Sequence, residues 1–212
     1  MSYIGTDIAT LAQRIMVDIS DDAYIGADAD NHDMLHYLNE GQRYFASQTH
    51  CCQEMVSDNI TGNTQTYSTL AGLISNGTEI LEAHKILVKD TSKTNYEFLP
   101  RAPLTEMRAL LATTDSAPER WTIFGETIYF DIHPSDTIDL DMDFFCSYTP
   151  NDLAAIGNTI LIPDKWVHAL VKYVIFCCRA QDRDTGMANG ALAEFDNIVD
   201  TAKEYYRKIL EG

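Results

Sequence analysis

The chain has 212 residues, a length that fits one large domain or a core with an inserted module. Its composition is 45% hydrophobic and 22% charged, which argues against intrinsic disorder and provides enough apolar residues for a sizeable core. The net charge of -17, from 32 acidic and 15 basic residues, argues against sequence-specific nucleic-acid binding, because lysine and arginine supply the affinity for a phosphate backbone.

The first third of the chain has the apolar spacing of two helices. The first is predicted over residues 6–20, with a stripe made of Ile8, Leu11, Ala12, Ile15, Met16 and Ile19. Either Thr6 or Asp7 is available as its N-cap. The second is predicted from about residue 31 to about residue 48, with Met34, Leu35, Leu38 and Phe45 on one side. We expect these two helices to pack against each other.

The middle of the chain changes to a strand-rich composition. Threonine, isoleucine, valine and tyrosine dominate three segments separated by glycine and asparagine, which predicts strands within residues 56–70, 78–90 and 93–101. A short helix is predicted near residues 103–113, with Pro103 in its first turn. Three further strands are predicted at residues 120–125, 126–132 and 137–148.

Turn residues and alternation define these later strands more closely. Gly125 indicates a tight hairpin connection at residues 124–126, and a second one is predicted at residues 133–136, where Pro134 is expected to end the preceding strand at an edge. The last strand alternates apolar and acidic residues: Ile138, Leu140, Met142 and Phe144 against Asp139, Asp141 and Asp143. This pattern predicts a half-buried strand with a row of carboxylates on its wet face.

The last third is predicted to be helical again. A long helix begins at Pro163 and Asp164, is apolar on most sides and is expected to be central. A final helix is predicted from about residue 187 to residue 210, with a stripe made of Ala188, Ala191, Leu192, Phe195, Ile198, Val199, Ala202, Tyr206 and Ile209.

These elements predict an α+β fold. N- and C-terminal α-helices form a helical bundle, and a small antiparallel β module is inserted between them. We expect a single domain of residues 1–212, with N-terminal helices in residues 1–50, a mostly β insert in residues 54–150 and C-terminal helices in residues 163–210.

Cysteine content and hydropathy indicate the compartment in which the chain is made. The count is odd and no C-x-x-C spacing occurs, which argues against a disulfide framework and a zinc knuckle; the cysteines are Cys51, Cys52, Cys146, Cys177 and Cys178. The longest strongly apolar run, near residues 166–178, contains His168 and Lys172 and is too short and polar to span a bilayer. No secretory signal is recognisable. We therefore expect synthesis in a reducing cytosol and no membrane partner.

The second predicted helix contains a His-Asp-x-x-His pattern formed by His32, Asp33 and His36. It is similar to the H-E-x-x-H pattern of zinc proteases, with aspartate in place of glutamate. On a helix, however, His32 and His36 point roughly 160–200° away from Met34 and the apolar stripe, towards solvent. No third ligand is identifiable among the other histidines. A solvated histidine pair is the favoured interpretation.

Other patterns that could support catalysis are equally weak. On a straight strand, the carboxylates of Asp139, Asp141 and Asp143 lie about 6–7 Å apart, which suits no single ion. The chain has no G-x-S-x-G, P-loop or G-x-G-x-x-G pattern. We predict no catalytic, cofactor-binding or metal-binding residues.

One ordered set of residues spans nearly the whole chain. It comprises Leu38, Asn39, Gln42 and Arg43 in the second helix, Pro118, Trp121, Gly125, Ile128 and Pro134 around the hairpin, Tyr148, Pro150 and Leu153 after the last strand, and Pro163 and Trp166 at the start of the long helix. In this order and spacing the residues resemble those of the adaptor proteins of tailed bacteriophages, which form a head-to-tail connector ring beneath the portal.

The resemblance implies a structural virion protein of the neck, made in the host bacterial cytoplasm, and not an enzyme. Its implied partners are other copies of itself in a dodecameric ring, the portal protein, and a downstream tail or stopper protein. A ring of such acidic chains gives DNA a passage to which it does not stick during ejection.

Site predictions follow from the same resemblance. The predicted structural anchors are Leu38, Gln42, Arg43, Trp121, Gly125, Pro134, Tyr148, Pro163 and Trp166. A possible partner interface lies at the end of the last helix, at Tyr205, Tyr206, Lys208, Ile209 and Leu210. Two alternatives remain open: a metal-dependent hydrolase that uses the histidine pair, and a module whose β insert binds a small ligand or a glycan.

Overall fold

The computed structural model describes residues 2–17, 32–60, 66–67, 74–90, 94–107, 113–114, 117–125, 127–131, 133–134, 140–181 and 183–211. The chain divides into two compact units. Unit 1 comprises residues 1–52 and 149–212, and unit 2 comprises residues 53–148. Unit 2 is therefore an insertion in the sequence of unit 1.

The described helices and strands agree with an α+β fold. The helices are α1 (Gly5–Val17), α2 (His32–Thr49), α3 (Leu104–Met107), α4 (Val167–Gln181) and α5 (Thr185–Glu211), and a 3-10 helix at Asp164–Trp166 precedes α4. The strands are β1 (Gln53–Ile60), β2 (Thr66–Tyr67), β3 (Gly77–Asp90), β4 (Glu97–Leu99), β5 (Thr113–Thr114), β6 (Trp121–Phe124), β7 (Thr127–Phe130), β8 (His133–Pro134) and β9 (Leu140–Pro150). The predicted order of terminal helices and central strands is confirmed.

Helix α4 is the element of unit 1 that contacts α1, α2 and α5. Its apolar residues on several sides are buried, including Leu170, Val171 and Val174, as its sequence predicts. Helix α2 buries Leu38 and Phe45, and α5 buries residues at helical spacing from Ala188 to Tyr206. The apolar faces of these helices therefore form the core of unit 1.

Three residues predicted to lie on apolar stripes are exposed instead. Leu11 and Ile15 of α1 and Ile209 of α5 each leave more than a third of their surface accessible. Helix α1 buries Ile8 and Ala12, so only part of its stripe is covered by neighbouring helices. Periodicity predicts which side chains share a face, but not how far a neighbouring helix extends along that face.

Unit 2 contains a four-stranded sheet in the order β1-β9-β3-β4. Strand β9 pairs antiparallel with β1, with Ile60 opposite Leu140 and Gln53 opposite Ser147. Along β9, Leu140, Met142 and Phe144 are buried while the intervening aspartates are half-exposed, which confirms the predicted alternation for the described residues. Ile138 and Asp139 lie outside the described residues.

A second sheet in unit 2 has the order β2-β7-β6. Phe124 pairs with Thr127, so a two-residue connection joins β6 to β7, and Gly125 in it has a φ of 62°. This confirms the first predicted hairpin, because a tight turn needs a residue that accepts positive φ.

The structure differs from two predictions for the middle of the chain. The segment at His133 and Pro134 is not a hairpin turn but strand β8, which pairs in parallel with β5, so the module is not purely antiparallel and Pro134 does not end β7. The predicted short helix near residues 103–113 is present at Leu104–Met107, whereas Thr113 belongs to β5. Residues 108–112 lie outside the described residues. Strands of two residues are too short to show any periodicity.

Candidate functional site

Two amide side chains on one face of α2 bind the loop that follows β9. Asn39 Nδ2 donates to the carbonyl oxygen of Leu153 at 3.2 Å, and the backbone N–H of Leu153 donates back to Asn39 Oδ1 at 2.7 Å. Gln42, one turn further along, donates to the carbonyl oxygen of Asn151 at 3.1 Å and accepts from the N–H of Leu161 at 3.4 Å. We call Asn39 and Gln42 the amide clamp.

The amide clamp is buried, so its hydrogen bonds decide the conformation of the loop. Gln42 is fully buried and Asn39 nearly so. Buried polar groups are costly unless they are hydrogen-bonded, and each amide here both donates and accepts. Because the two residues are three apart, they share a helix face and bind successive parts of residues 151–161. The sequence predicted Gln42 as an anchor, and its partners are these loop backbone groups.

The neighbours of the amide clamp have packing roles. Leu38 is fully buried, and the exposed Arg43 lies 3.5 Å from Asp152 through its Nε atom. At Gly41 a Cβ atom would lie 2.8 Å from the Tyr173 ring, closer than side chains pack. Glycine therefore permits the close approach of α2 to α4.

The start of α4 is joined to the end of α5. Pro163 precedes the 3-10 helix with a φ of -54° and accepts a hydrogen bond from the N–H of Trp166 at 2.8 Å. The indole Nε1 of Trp166 donates to the hydroxyl of Tyr206 at 3.2 Å, and its ring packs 6.3 Å from that of Phe45. Pro163 and Trp166 thus connect α4 with α2 and α5.

The residues predicted to form a partner interface differ in exposure. Tyr205 and Ile209 are exposed, whereas Tyr206 is buried, and burial raises the pKa of Tyr206 to about 12. Lys208 is exposed and lies 3.3 Å from Glu204, whose pKa is lowered to about 2 by hydrogen bonds to Arg207 and Lys208. The side chain of Leu210 lies outside the described residues.

In unit 2, Trp121 is a buried anchor. Its indole Nε1 donates to the carbonyl oxygen of Leu99 at 2.8 Å, and its backbone bonds to Pro100 and Ala102. Tyr148, another predicted anchor, is buried against Gly77, where a Cβ atom would collide with the tyrosine ring. The side chain of Pro134 lies outside the described residues.

The carboxylate row on β9 is used for pairing across the sheet. Asp141 accepts from Lys89 of β3 at 2.6 Å, and Asp143 accepts from the hydroxyl of Ser57 of β1 at 2.6 Å. The hydrogen bond that Lys89 donates to Asp141 raises the pKa of Lys89. These cross-strand pairs support the interpretation of a wet strand face.

The His-Asp-x-x-His segment lies on α2, as predicted. His36 is exposed and its Nε2 atom lies 3.3 Å from Glu40, while the side chains of His32 and Asp33 lie outside the described residues. Within the described part of the chain, no group of three histidine, cysteine, aspartate or glutamate residues could hold a metal ion.

All five cysteines are free thiols. Cys51 and Cys52 are buried, with their Sγ atoms 3.9 Å apart. The hydrogen bond with Cys52 lowers the pKa of Cys51, and the same contact raises that of Cys52. Cys178 is buried, and burial raises the pKa of the half-buried Cys177 to about 12.

An open groove of about 650 Å³ lies on unit 1 between α1 and the 3-10 helix. Its lining comprises Ser2, Tyr3, Asp7, Thr10, Leu11, Arg14, Asp164 and Lys165. None of these residues was predicted as a site. The sequence feature that could have indicated the groove is the apolar Leu11 on a helix face that also contains Asp7 and Arg14.

Comparison with known proteins agrees with this scaffold of packing residues. No curated protein matches the chain, and among the described helices none is long and apolar enough to cross a membrane. The model of one family, described as SU10 adaptor protein, matches residues 6–208. That family consists of structural adaptor proteins of bacteriophage virions. Since the match covers nearly the whole sequence, this chain belongs to the SU10 adaptor protein family.

Proposed function

We propose that the protein is a head-to-tail adaptor that forms a dodecameric ring beneath the portal and bridges it to a downstream tail or stopper protein. The observation that carries the proposal is the family match over residues 6–208. The residues of the resemblance also support it, because Leu38, Gln42 and Trp121 serve packing and backbone hydrogen bonding. Such roles suit a scaffold.

The two compact units would act together as one adaptor domain. The long helices of unit 1 form a bundle that lines or buttresses the ring, and the sheets of unit 2 provide a lateral or tail-facing surface. Within unit 1, α4 contacts three other helices, and the amide clamp holds the loop between β9 and the 3-10 helix. A rigid arrangement of this kind suits a subunit that transmits load between the capsid and the tail.

The end of α5 provides the proposed surface for the portal. Tyr205, Lys208 and Ile209 are exposed there, while Tyr206 packs on their inner side against Trp166. Exposed tyrosine and isoleucine beside paired charges resemble the composition of protein interfaces.

The proposed passage for DNA is inferred from the net charge of the chain. Each copy has a net charge of -17, so a ring of copies surrounds its lumen with excess carboxylates. Such a collar repels the phosphate backbone and leaves it free to move.

Electron microscopy of the purified protein with the portal protein of the same phage tests the proposal. We expect a ring of adaptor density below each portal ring, with the same rotational symmetry as the portal's clip region. The protein alone is not decisive, because assembly can depend on the portal. Uniform monomers that leave the portal undecorated at saturating concentration would count against the adaptor function.

A further inference from the structure

The groove on unit 1 has one wall from α1 and one from the start of the long helical segment. Along α1, Asp7, Leu11 and Arg14 are spaced four and three apart, so they line one face together with Thr10. The opposite wall contains Asp164 and Lys165 from the 3-10 helix. At about 650 Å³, the groove can accept several side chains of a protein partner.

Two exposed apolar side chains of unit 1 line this groove. They are Tyr3 and Leu11, and the exposed Ile15 follows Leu11 by one turn of α1. Lys165 connects the groove to α5, because its ammonium lies 3.2 Å from the centre of the exposed Tyr205 ring. Among the described residues of unit 1, Tyr44, Met187 and Ile209 are the other large apolar side chains that are exposed to this degree. Tyr3 and Leu11 lie together in the groove, and neighbouring exposed apolar side chains indicate an interaction surface.

The charges at the groove indicate the chemistry of its partner. Asp7 accepts a hydrogen bond from the N–H of Ile4 at the start of its own helix. Within the described ranges, Arg14 and Lys165 form no ion pair, although the chain has 32 acidic and 15 basic residues. Arg14, and Lys165 with its ammonium over the Tyr205 ring, lie beside apolar side chains of the groove. These cations favour a partner that brings a carboxylate next to an aromatic or aliphatic group.

The outer face of α2 has this complementary chemistry. Tyr44 is about half exposed and stacks on Tyr173 with their ring centres 6.5 Å apart, and Glu40 precedes it by one turn. The exposed carboxylate of Glu40 lies near only the exposed imidazole of His36, at 3.3 Å, among the described ion pairs. A second copy of the chain therefore presents an aromatic pair with a carboxylate beside it.

We propose that the groove binds the Glu40–Tyr44 face of α2 from a second copy of this chain, with Tyr44 against Leu11 and Glu40 near Arg14 and Lys165. The two surfaces differ, so the contact is head-to-tail and can propagate around a ring rather than end in a symmetric dimer. The proposal rests on the proposed adaptor ring and assigns its contact between subunits.

Single substitutions on either surface test the contact. Leu11→Glu and Tyr44→Glu each place a buried charge in the interface, whereas Met187→Glu changes an equally exposed apolar residue elsewhere on unit 1. The readout is the number of adaptor copies on each portal ring, measured by mass photometry against concentration. We expect full, cooperative rings for the wild type and for Met187→Glu, and sparse, non-cooperative binding for the other two. Circular dichroism and urea unfolding check that all variants fold.

A charge exchange tests the pairing itself. Arg14→Glu and Glu40→Arg are each expected to weaken ring completion by about tenfold, and the double variant is expected to restore it to within about threefold of the wild type. Cooperative rings formed by Leu11→Glu or Tyr44→Glu would overturn the proposed contact while leaving the adaptor function intact. A wild type that never binds the portal would overturn both. Loss of all portal binding by Leu11→Glu alone would assign the groove to the portal and so refute the contact between copies.

Discussion

Unit 1 and unit 2 use different buried polar groups to hold irregular segments, although unit 1 also buries Arg179 on α4. Unit 1 uses the neutral amides of Asn39 and Gln42 to hold a loop. Unit 2 buries the carboxylate of Asp131, which accepts from the N–H of Glu119 at 3.1 Å and lies 3.5 Å from the guanidinium of Arg120. The helical unit therefore fixes an irregular segment without charge, whereas the sheet-containing unit uses a charged group at the end of β7.

This difference predicts opposite responses to a change of charge. An added charge should damage unit 1 most, because the amide clamp is closed to water and has no counter-ion. A removed charge should damage unit 2, because Asp131 relies on its interaction with Arg120.

Gln42→Glu should cause the largest loss of stability. The new carboxylate is buried and cannot donate to the carbonyl oxygen of Asn151, so the free energy of unfolding should fall by about 3–5 kcal/mol at neutral pH. Urea unfolding followed by circular dichroism measures the change. The matched control is Gln48→Glu, a half-buried glutamine on the same helix, for which about 0.5 kcal/mol or less is expected. Equal losses in the two variants would show that the clamp does not hold the loop.

Asp131→Asn should destabilise unit 2 by about 1–2 kcal/mol. The asparagine oxygen can still accept a hydrogen bond from the N–H of Glu119. The side chain has lost its negative charge, however, so it no longer attracts the guanidinium of Arg120 and turns an NH2 donor towards it. Hydrogen exchange resolves the effect by region, and protection should fall in β6 and β7. The exposed Asp152→Asn serves as the control and should cost less than 1 kcal/mol. Loss of protection confined to unit 1 would contradict the assignment.

Tyr206→Phe should make unit 1 less sensitive to alkali. Burial raises the pKa of Tyr206 from 10 to about 12, so its contribution to stability is full below pH 10 and is lost as pH rises towards 12. At pH 8 the variant loses the acceptor for Trp166, at a cost of about 1 kcal/mol. Between pH 8 and pH 11 its urea midpoint should fall less than that of the wild type.

The exposed Tyr205→Phe is the control for that measurement and should keep the steep decline of the wild type. The decline should not vanish in Tyr206→Phe, because burial also raises the pKa of Tyr173 to about 12. An unchanged alkaline decline would show that Tyr206 ionises in the folded state as easily as in the unfolded chain.

Periodic elements could be predicted from the sequence. Helix α2 lies within about one residue of its predicted bounds because its apolar spacing is regular, and β9 follows its alternation. Helix geometry also predicted that the face of α2 with His36 is exposed to solvent. Where an element has several turns or several alternations, its sequence determines which face is buried.

Contacts between distant segments could not be predicted in this way. The sequence indicated Gln42 as an anchor, but not that it would bind loop residues more than a hundred positions away. The parallel pairing of β5 with β8 involves two residues from each strand, which have no period. The groove was missed because Leu11 has the spacing of a core residue, and only the extent of the neighbouring helices leaves it exposed.

The insertion of unit 2 within unit 1 has a consequence for synthesis on the ribosome. Residues 53–148 emerge together and can fold while the last helices are still being made. Unit 1 cannot fold completely until α4 and α5 have been made. Asp164 and Lys165, which form one wall of its groove, are also synthesised after unit 2. A nascent chain therefore lacks the complete groove until Asp164 and Lys165 have been made, so contact between copies through it cannot form before then.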